Sequence, residues 1–230
     1  MLSWLRNLTW RDAIPGPFSP AADLNALRYV VVDTELTSLD SVSNRILSIG
    51  AIVMEGNKVR MGEQFYRVVN PGVPVPADTI VIHGLRPVDV AQGVAPAQAV
   101  QEFLSFAKGT VIVGHFVGID LAALRKELPP MSDGLDLPAL DTARIQRWLD
   151  QRHTAHHEDR GHHVEKVDLA SLAGRYGLEV HDAHHALYDA VLTAQLWQRL
   201  MHALALAGVK NLGQAMRVGK AEKIKRNAFE

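Results

Sequence analysis

Residues 29–32 (YVVV) form a run of β-branched and aromatic side chains that ends in two acids, Asp33 and Glu35. A run of this length is too short for a helix and is typical of a strand that is buried on both faces. Residues i and i+2 of a strand point to the same side, so both carboxylates aim at one place. Taken alone, the two acids are equally compatible with a charged strand end.

Two further runs, at 45–54 (RILSIGAIVM) and 58–69 (KVRMGEQFYRVV), have a similar composition and flank a turn at 55–57 (EGN). They predict an antiparallel meander. Another short apolar run lies at 110–113 (TVIV). Helical spacing of apolar residues predicts helices at 97–107, 121–128, 140–149, 168–176 and 183–206. Short strands among helices of this size indicate an α/β domain.

The 230-residue chain is long enough for one substantial domain, and its 47% hydrophobic and 21% charged residues are typical of a soluble globular protein. No apolar run approaches the roughly 20 residues that a bilayer-spanning helix needs. Residues 1–10 lack the apolar core and cleavage site of a signal peptide. We therefore expect a cytoplasmic protein without stable membrane insertion.

Cysteine is absent from the sequence. This absence excludes disulfides, Cys-ligated zinc, iron–sulfur clusters and thiol nucleophiles, so a metal would have to be bound by oxygen or imidazole. The formal net charge is -1, without the basic excess of many tight nucleic-acid binders. Binding of nucleic acid would therefore have to depend on a local surface.

We predict three parts in the chain. Residues 1–26 form an amphipathic segment and a Pro-rich linker, which could dock on the domain, on a partner protein or weakly on a membrane. Residues 27–207 form the α/β domain, and residues 208–230 form a basic C-terminal tail. Within the domain, residues 153–163 hold five of the eleven histidines, which indicates either a solvated loop or a zinc-type metal site.

Two more acids and a histidine extend the first pair. Asp120 closes a strand-to-helix junction, where α/β sheets bind ligands, although an acid there also complements a helix dipole. Asp189 lies in an Ala-rich helix and would be unremarkable alone. His184 precedes it by five residues, about 140° of helical rotation, so both reach one site only if His184 lies before the helix or at its cap. Mg²⁺ and Mn²⁺ prefer carboxylate ligands of this kind.

Three motifs follow one another along the chain: Asp33-x-Glu35, 114–120 (GHFVGID) and 184–190 (HHALYDA), with minor signatures at 45–51 (RILSIGA), 69–72 (VNPG), 82–85 (IHGL) and 140–144 (LDTAR). In their order and spacing they resemble the motifs of the DEDDh family of 3′–5′ exonucleases, which includes the proofreading subunit of bacterial replicative DNA polymerase. The family's tyrosine variant would have Tyr where this chain has His185. The histidine variant has His at the position of His184.

The resemblance implies a ribonuclease H-like fold: a mixed five-stranded sheet, an antiparallel meander followed by parallel strands, flanked by helices. It implies a metal-dependent exonuclease that releases nucleoside 5′-monophosphates from the 3′ end of single-stranded DNA or RNA. Two Mg²⁺ or Mn²⁺ ions would be held by four carboxylates, with His184 as the general base. The implied metal ligands are Asp33, Glu35, Asp120 and Asp189, and the implied substrate contacts are Thr34, Leu36 and His83.

Two departures from the family pattern bear on how the terminal nucleotide packs or on how Asp120 is aimed. The chain has 36–38 (LTS) where the family usually has Thr-Thr-Gly, and Phe116 where it usually has Asn. The metal ligands are unchanged. A second hypothesis is a weakly active or inactive exonuclease fold that serves as a nucleic-acid-binding or assembly module, tethered to a partner through its termini. The sequence does not distinguish DNA from RNA, because contacts to the 2′-hydroxyl have no signature here.

Overall fold

The computed structural model describes residues 14, 16–40, 42–128, 135–154, 166–180 and 184–221. Their strands form one five-stranded sheet in the order β3-β2-β1-β4-β5. The strands are β1 (Arg28–Leu36), β2 (Ile46–Glu55), β3 (Lys58–Val68), β4 (Val111–Gly114) and β5 (Ala139–Asp141). Strands β1 to β3 are antiparallel, whereas β4 and β5 run parallel to β1. The predicted mixed sheet, a meander followed by parallel strands, is confirmed.

Helices cover both faces of this sheet. They are α1 (Ala77–His83), α2 (Pro87–Ala91), α3 (Pro96–Phe106), α4 (Gly118–Lys126), α5 (Thr142–Thr154), α6 (Leu169–Arg175), α7 (Ala186–Leu206) and α8 (Leu212–Gly219). The helix predicted from residue 140 is wrong at its start, because Ala139–Asp141 pair with β4 and α5 begins only at Thr142. Among the described residues, no helix is long and apolar enough to cross a bilayer.

Strand β1 alternates between two cores, which explains its continuous apolar run. Tyr29 and Val31 pack with residues of α5, α7 and α8 on one face. Val30 and Val32 pack with residues of α3 and α4 on the other. By the same alternation, position 33 faces the α7 side of the sheet and position 34 faces the α4 side. The end of β1 can therefore present side chains to helices from both layers.

The long helix α7 is the main cover of the central strands. Its Trp197 ring is fully buried and meets the buried ring of Tyr29 edge-on, with 5.6 Å between the ring centroids. Two large aromatic side chains in such contact contribute both burial and a favourable ring geometry. This packing holds α7 against β1, the strand that carries Asp33 and Glu35.

Both flanks of the predicted domain contact the sheet layers. Leu24, before β1, and Leu212 of α8 are buried in the core on the α7 side. After α8, the Ala221 N–H donates to the Ala139 carbonyl at 2.9 Å, so the chain pairs with the outer edge of β5. The domain limits at 27 and 207 stay a prediction. The amphipathic residues 1–10, most of the His-rich stretch 153–163 and the basic residues 222–230 lie outside the described residues.

Candidate active site

Three of the predicted acids come together at the end of β1. Asp33, Glu35 and Asp189 each offer a carboxylate oxygen, and these oxygens all lie within 4.8 Å of one another. Each of the three residues is half-buried. In the described part of the chain, no Lys or Arg forms an ion pair with any of them. Such a cluster is repulsive unless protons or a cation neutralise it.

Asp189 reaches this place because the first turn of α7 lies directly on β2. The contact point is Gly50, which is the β2 residue paired with Asp33. A Cβ at Gly50 would lie 2.2 Å from backbone atoms of Ala186 and Leu187, so only glycine allows the observed approach. Asp189 stands in this first turn. Gly50 thus shapes the candidate site, although in the sequence it stands out only as part of a minor signature.

Asp120 approaches from the other face of the sheet. It lies in the first turn of α4 and is buried. Thr34, on the α4 side of β1, donates a hydrogen bond from Oγ1 to Asp120 Oδ1 at 2.6 Å. The charge of Asp120 contributes to the raised pKa values of both Asp33 and Glu35, which places it within electrostatic reach of the cluster. Thr34 was predicted as a substrate contact, and in the structure its hydroxyl orients an acid.

Burial raises the pKa of all four acids. It raises the pKa of Glu35 to about 7, with further contributions from the charges of Asp189 and Asp120. It raises the pKa of Asp120 to about 7, although the hydrogen bond from Thr34 acts in the opposite direction. The pKa of Asp33 lies well above its ordinary value, because of burial first and then the charges of Asp120, Glu35 and Asp189. Burial also raises the pKa of Asp189.

These properties fit a site for hard divalent cations. The donors are all carboxylate oxygens, which Mg²⁺ and Mn²⁺ prefer. A bound cation would reverse the pKa shifts by favouring the ionised form of each acid. Asp33 is central, since its pKa responds to the charges of all three other acids.

His184 lies just before α7, since His185 is the N-cap residue of that helix. This is the position that His184 needs in order to share a site with Asp189. Its backbone N–H donates to Asp189 Oδ2 at 3.0 Å, and its side chain is exposed. Its φ of 67° is in the left-handed region, which costs a non-glycine residue about 1–3 kcal/mol and is found most often at functional sites. The hydrogen bond to Asp189 holds this backbone conformation.

The two other predicted substrate contacts border the same site. Leu36 is the half-buried last residue of β1, just after a register shift between Glu35 and Leu36. His83 ends α1 and is buried, and its Nδ1 accepts a hydrogen bond from the Leu85 N–H at 3.0 Å. Burial lowers the pKa of His83, and the charge of His184 lowers it further. The Nε2 atom of His83 is buried without a hydrogen-bond partner among the described residues.

The departure at Phe116 also has a structural counterpart. Phe116 adopts a φ of 52°, a conformation that Asn tolerates better than Phe. Its N–H donates to Asp141 Oδ1 at 3.2 Å, and the same oxygen accepts the Ala143 N–H at 2.9 Å. The buried Asp141 thus ties the loop before α4 to the start of α5, a role that the sequence analysis did not assign to it.

The mixed five-stranded sheet is ribonuclease H-like, and the carboxylate cluster at the end of β1 fits divalent cations. The chain belongs to the RNase_T exonuclease family, whose model matches residues 30–197. This confirms the resemblance found in the sequence.

Two curated relatives illustrate the family. A DNA polymerase III subunit epsilon-like protein of Rhodobacter capsulatus is 32% identical over 197 residues, which are 84% of this chain and 26% of the relative. A PolC-type DNA polymerase III of Streptococcus thermophilus is 32% identical over 192 residues, which are 80% of this chain and 12% of the relative. The chain therefore spans about a quarter of the length of the first relative and about an eighth of the length of the second.

Solved structures share the fold. Escherichia coli exonuclease I in complex with a dT13 oligonucleotide superposes with a TM-score of 0.65 at 18% identity, covering 79% of this chain and 42% of that one. Exonuclease X in complex with 5′ overhanging duplex DNA gives 0.61 at 20% identity, covering 83% and 99%. At these identities the similarity shows a shared fold and nothing further.

Proposed function

We propose that this chain is a metal-dependent exonuclease that removes nucleotides from the 3′ end of single-stranded nucleic acid and releases nucleoside 5′-monophosphates. The observation that carries the proposal is the cluster of Asp33, Glu35 and Asp189, whose oxygens lie within 4.8 Å of one another. Within the described residues, no Lys or Arg forms an ion pair with this cluster. Membership of an exonuclease family supplies the reaction class. The 3′–5′ direction of hydrolysis is supported by the histidine-type motif. It is also supported by two relatives, one named as a DNA polymerase III subunit epsilon-like protein and one as a PolC-type DNA polymerase III, since the family that the motifs resemble includes a proofreading subunit.

In this proposal, the four acids together hold two ions. Asp33 lies within electrostatic reach of the other three acids and would bridge both ions. Glu35 and Asp189 would complete one ion, and Asp120, fixed by Thr34, would serve the second. Bound divalent ions would neutralise the scissile phosphate and acidify the attacking water.

His184 serves in this proposal as the general base that accepts the proton of the attacking water. Histidine is the side chain most suited to proton transfer near neutral pH. The His184 side chain is exposed, so solvent and substrate can reach it. Because its own N–H is bonded to Asp189, the base and a metal ligand keep a fixed relation to each other.

In this proposal, Leu36 and His83 contact the terminal nucleotide. Leu36 offers an apolar side chain next to Glu35, and apolar or aromatic packing on a base does not depend on sequence. His83 keeps one buried ring nitrogen without a partner among the described residues, and a nucleotide could satisfy it. A protein partner, bound through residues outside 27–207, belongs to the same proposal, since one relative is named as a DNA polymerase III subunit epsilon-like protein.

The test uses DNA and RNA strands of one sequence, each labelled on the 3′-terminal nucleotide. With Mn²⁺ or Mg²⁺, the first labelled product should be a nucleoside 5′-monophosphate, and EDTA should abolish its release reversibly. A 3′-monophosphate product, or release that persists in EDTA, would overturn the mechanism. Absence of release from both strands, with tight binding of either, would favour the binding or assembly module.

A further inference from the structure

Three residues stand side by side across the meander and together support the start of α7. Asp33 of β1 pairs with Gly50 of β2, and Gly50 pairs with Tyr66 of β3. Paired residues of neighbouring antiparallel strands direct their side chains to the same face of the sheet. On the face that α7 covers, this row therefore presents the Asp33 carboxylate, the Gly50 backbone without a side chain, and the Tyr66 ring.

Residues at the start of α7 contact every member of this row. Ala186 lies on Gly50, and Asp189 reaches Asp33. The ring of His185 stacks on the ring of Tyr66, with 4.7 Å between the centroids and 20° between the planes. The stack lies within electrostatic reach of Glu35, whose charge contributes, after burial, to the raised pKa of Tyr66.

The His185 side chain is held by ring contacts and not by a hydrogen bond in the described residues. His185 is the N-cap residue of α7, yet its side chain makes no capping hydrogen bond. Its Nδ1 atom is buried and has no hydrogen-bond partner in the described residues. The ring also meets Tyr188, with 4.9 Å between the centroids. Among the described residues, the ring contacts of His185 are thus with Tyr66 and Tyr188.

The backbone of His185 is linked to two groups of the proposed reaction. The Asp189 N–H donates to the His185 carbonyl at 3.0 Å. His184 is its immediate neighbour, and the His184 N–H donates to Asp189 Oδ2 at 3.0 Å. A displacement of His185 would consequently move both the metal ligand and the base.

We propose that His185 is a positioning residue: its stack on Tyr66 seats the start of α7 and so sets Asp189 and His184 against Asp33. The inference rests on the proposed function, since it assigns a role within that site. It goes beyond the motif, which gives His185 no role. A stack that only stabilised the fold would affect the unfolding midpoint and leave turnover by the folded enzyme unchanged.

The test compares His185→Ala and Tyr66→Ala with His185→Phe and Tyr66→Phe, which keep a ring that can stack. A matched control is His202→Ala, which removes an exposed histidine toward the other end of α7. Turnover and KM are measured on a single strand at saturating Mn²⁺, well below each unfolding midpoint. Mn²⁺ affinity is measured separately by calorimetry without substrate.

Both alanine variants should lose at least about 10-fold in kcat, since misplacement near 1 Å at a reacting centre reduces rates by up to about 10²-fold. Their KM should change little and their Mn²⁺ affinity should fall. Both phenylalanine variants and the His202 control should match the parent. The double alanine variant should be no worse than either single one, because both changes break the same contact.

Parent-like kcat and Mn²⁺ affinity in His185→Ala would overturn the inference. So would a His185→Phe enzyme as impaired as His185→Ala, since the imidazole and not the stack would then matter. If the parent releases no nucleotide, the proposed function fails, and the Mn²⁺ affinities alone still decide whether the stack positions Asp189.

Discussion

Gly50→Ala should leave the protein folded and nearly inactive. The new Cβ would lie 2.2 Å from two backbone atoms of α7 and must reach at least 3.4 Å, a displacement of about 1.2 Å. Those atoms belong to the backbone of Ala186 and Leu187, so no side chain can rotate away, and the first turn of α7 must move. Overpacking of this kind costs about 1–3 kcal/mol. Ordinary domains have about 5–15 kcal/mol of stability, so the variant should still fold.

The loss of kcat should exceed what the unfolded fraction of the variant explains, because the displaced turn carries Asp189 and follows His184. A shift near 1 Å reduces turnover by up to about 10²-fold. The assay measures kcat for mononucleotide release at saturating Mn²⁺, together with urea unfolding. Gly62→Ala on β3 is the matched control, since a Cβ there would meet nothing within 4 Å. Parent-like kcat in Gly50→Ala, or a loss equal only to its unfolded fraction, would refute this reasoning.

Asp33→Asn should retain less than about a tenth of the parent's kcat, and without metal its unfolding midpoint at pH 7 should rise, because one repelling charge is gone. A midpoint that falls would contradict the repulsion. Burial raises the pKa of Glu35 and Asp120 to about 7, so the folded protein binds these protons more tightly than the unfolded chain does. The urea midpoint of the metal-free protein should therefore decrease as pH rises from about 4 to about 7, and the decrease should be smaller with saturating Mn²⁺. A profile that rises over this range would show that these acids are not protonated in the fold. His184→Ala should lower kcat by ~10²–10⁴-fold while Mn²⁺ affinity, measured by calorimetry, changes little. Equal loss of both quantities would make His184 a ligand and not a base.

The strands that the sequence revealed are those with two buried faces or a clear turn. Residues 29–32 were recognised because both layers of helices cover them. Strand β5 was missed because three residues, directly followed by α5, show neither alternation nor a separate run. Helices α1 and α2 have seven and five residues, too few to show helical periodicity, and α1 leaves Val81 and Ile82 exposed.

The site was predictable only in its parts. Strand alternation placed Asp33 and Glu35 together, but spacing cannot bring in Asp120 and Asp189, which come from opposite faces of the sheet. Only the family motif joined them. The row that supports α7 depends on pairing between strands, which sequence spacing does not reveal. Its one sequence signal was Gly50, since a glycine inside an apolar strand often marks a close backbone approach.

A DNA strand and an RNA strand of the same sequence, each labelled at its 5′ end, test direction, metal dependence and site together. With the parent protein and Mn²⁺, the strand of the preferred nucleic acid should shorten by one nucleotide at a time, giving a ladder that keeps the 5′ label. The strand should stay at full length in EDTA or with Asp33→Asn. Early release of the labelled 5′ nucleotide, or a ladder that Asp33→Asn forms as fast as the parent, would contradict a 3′–5′ exonuclease built on these carboxylates.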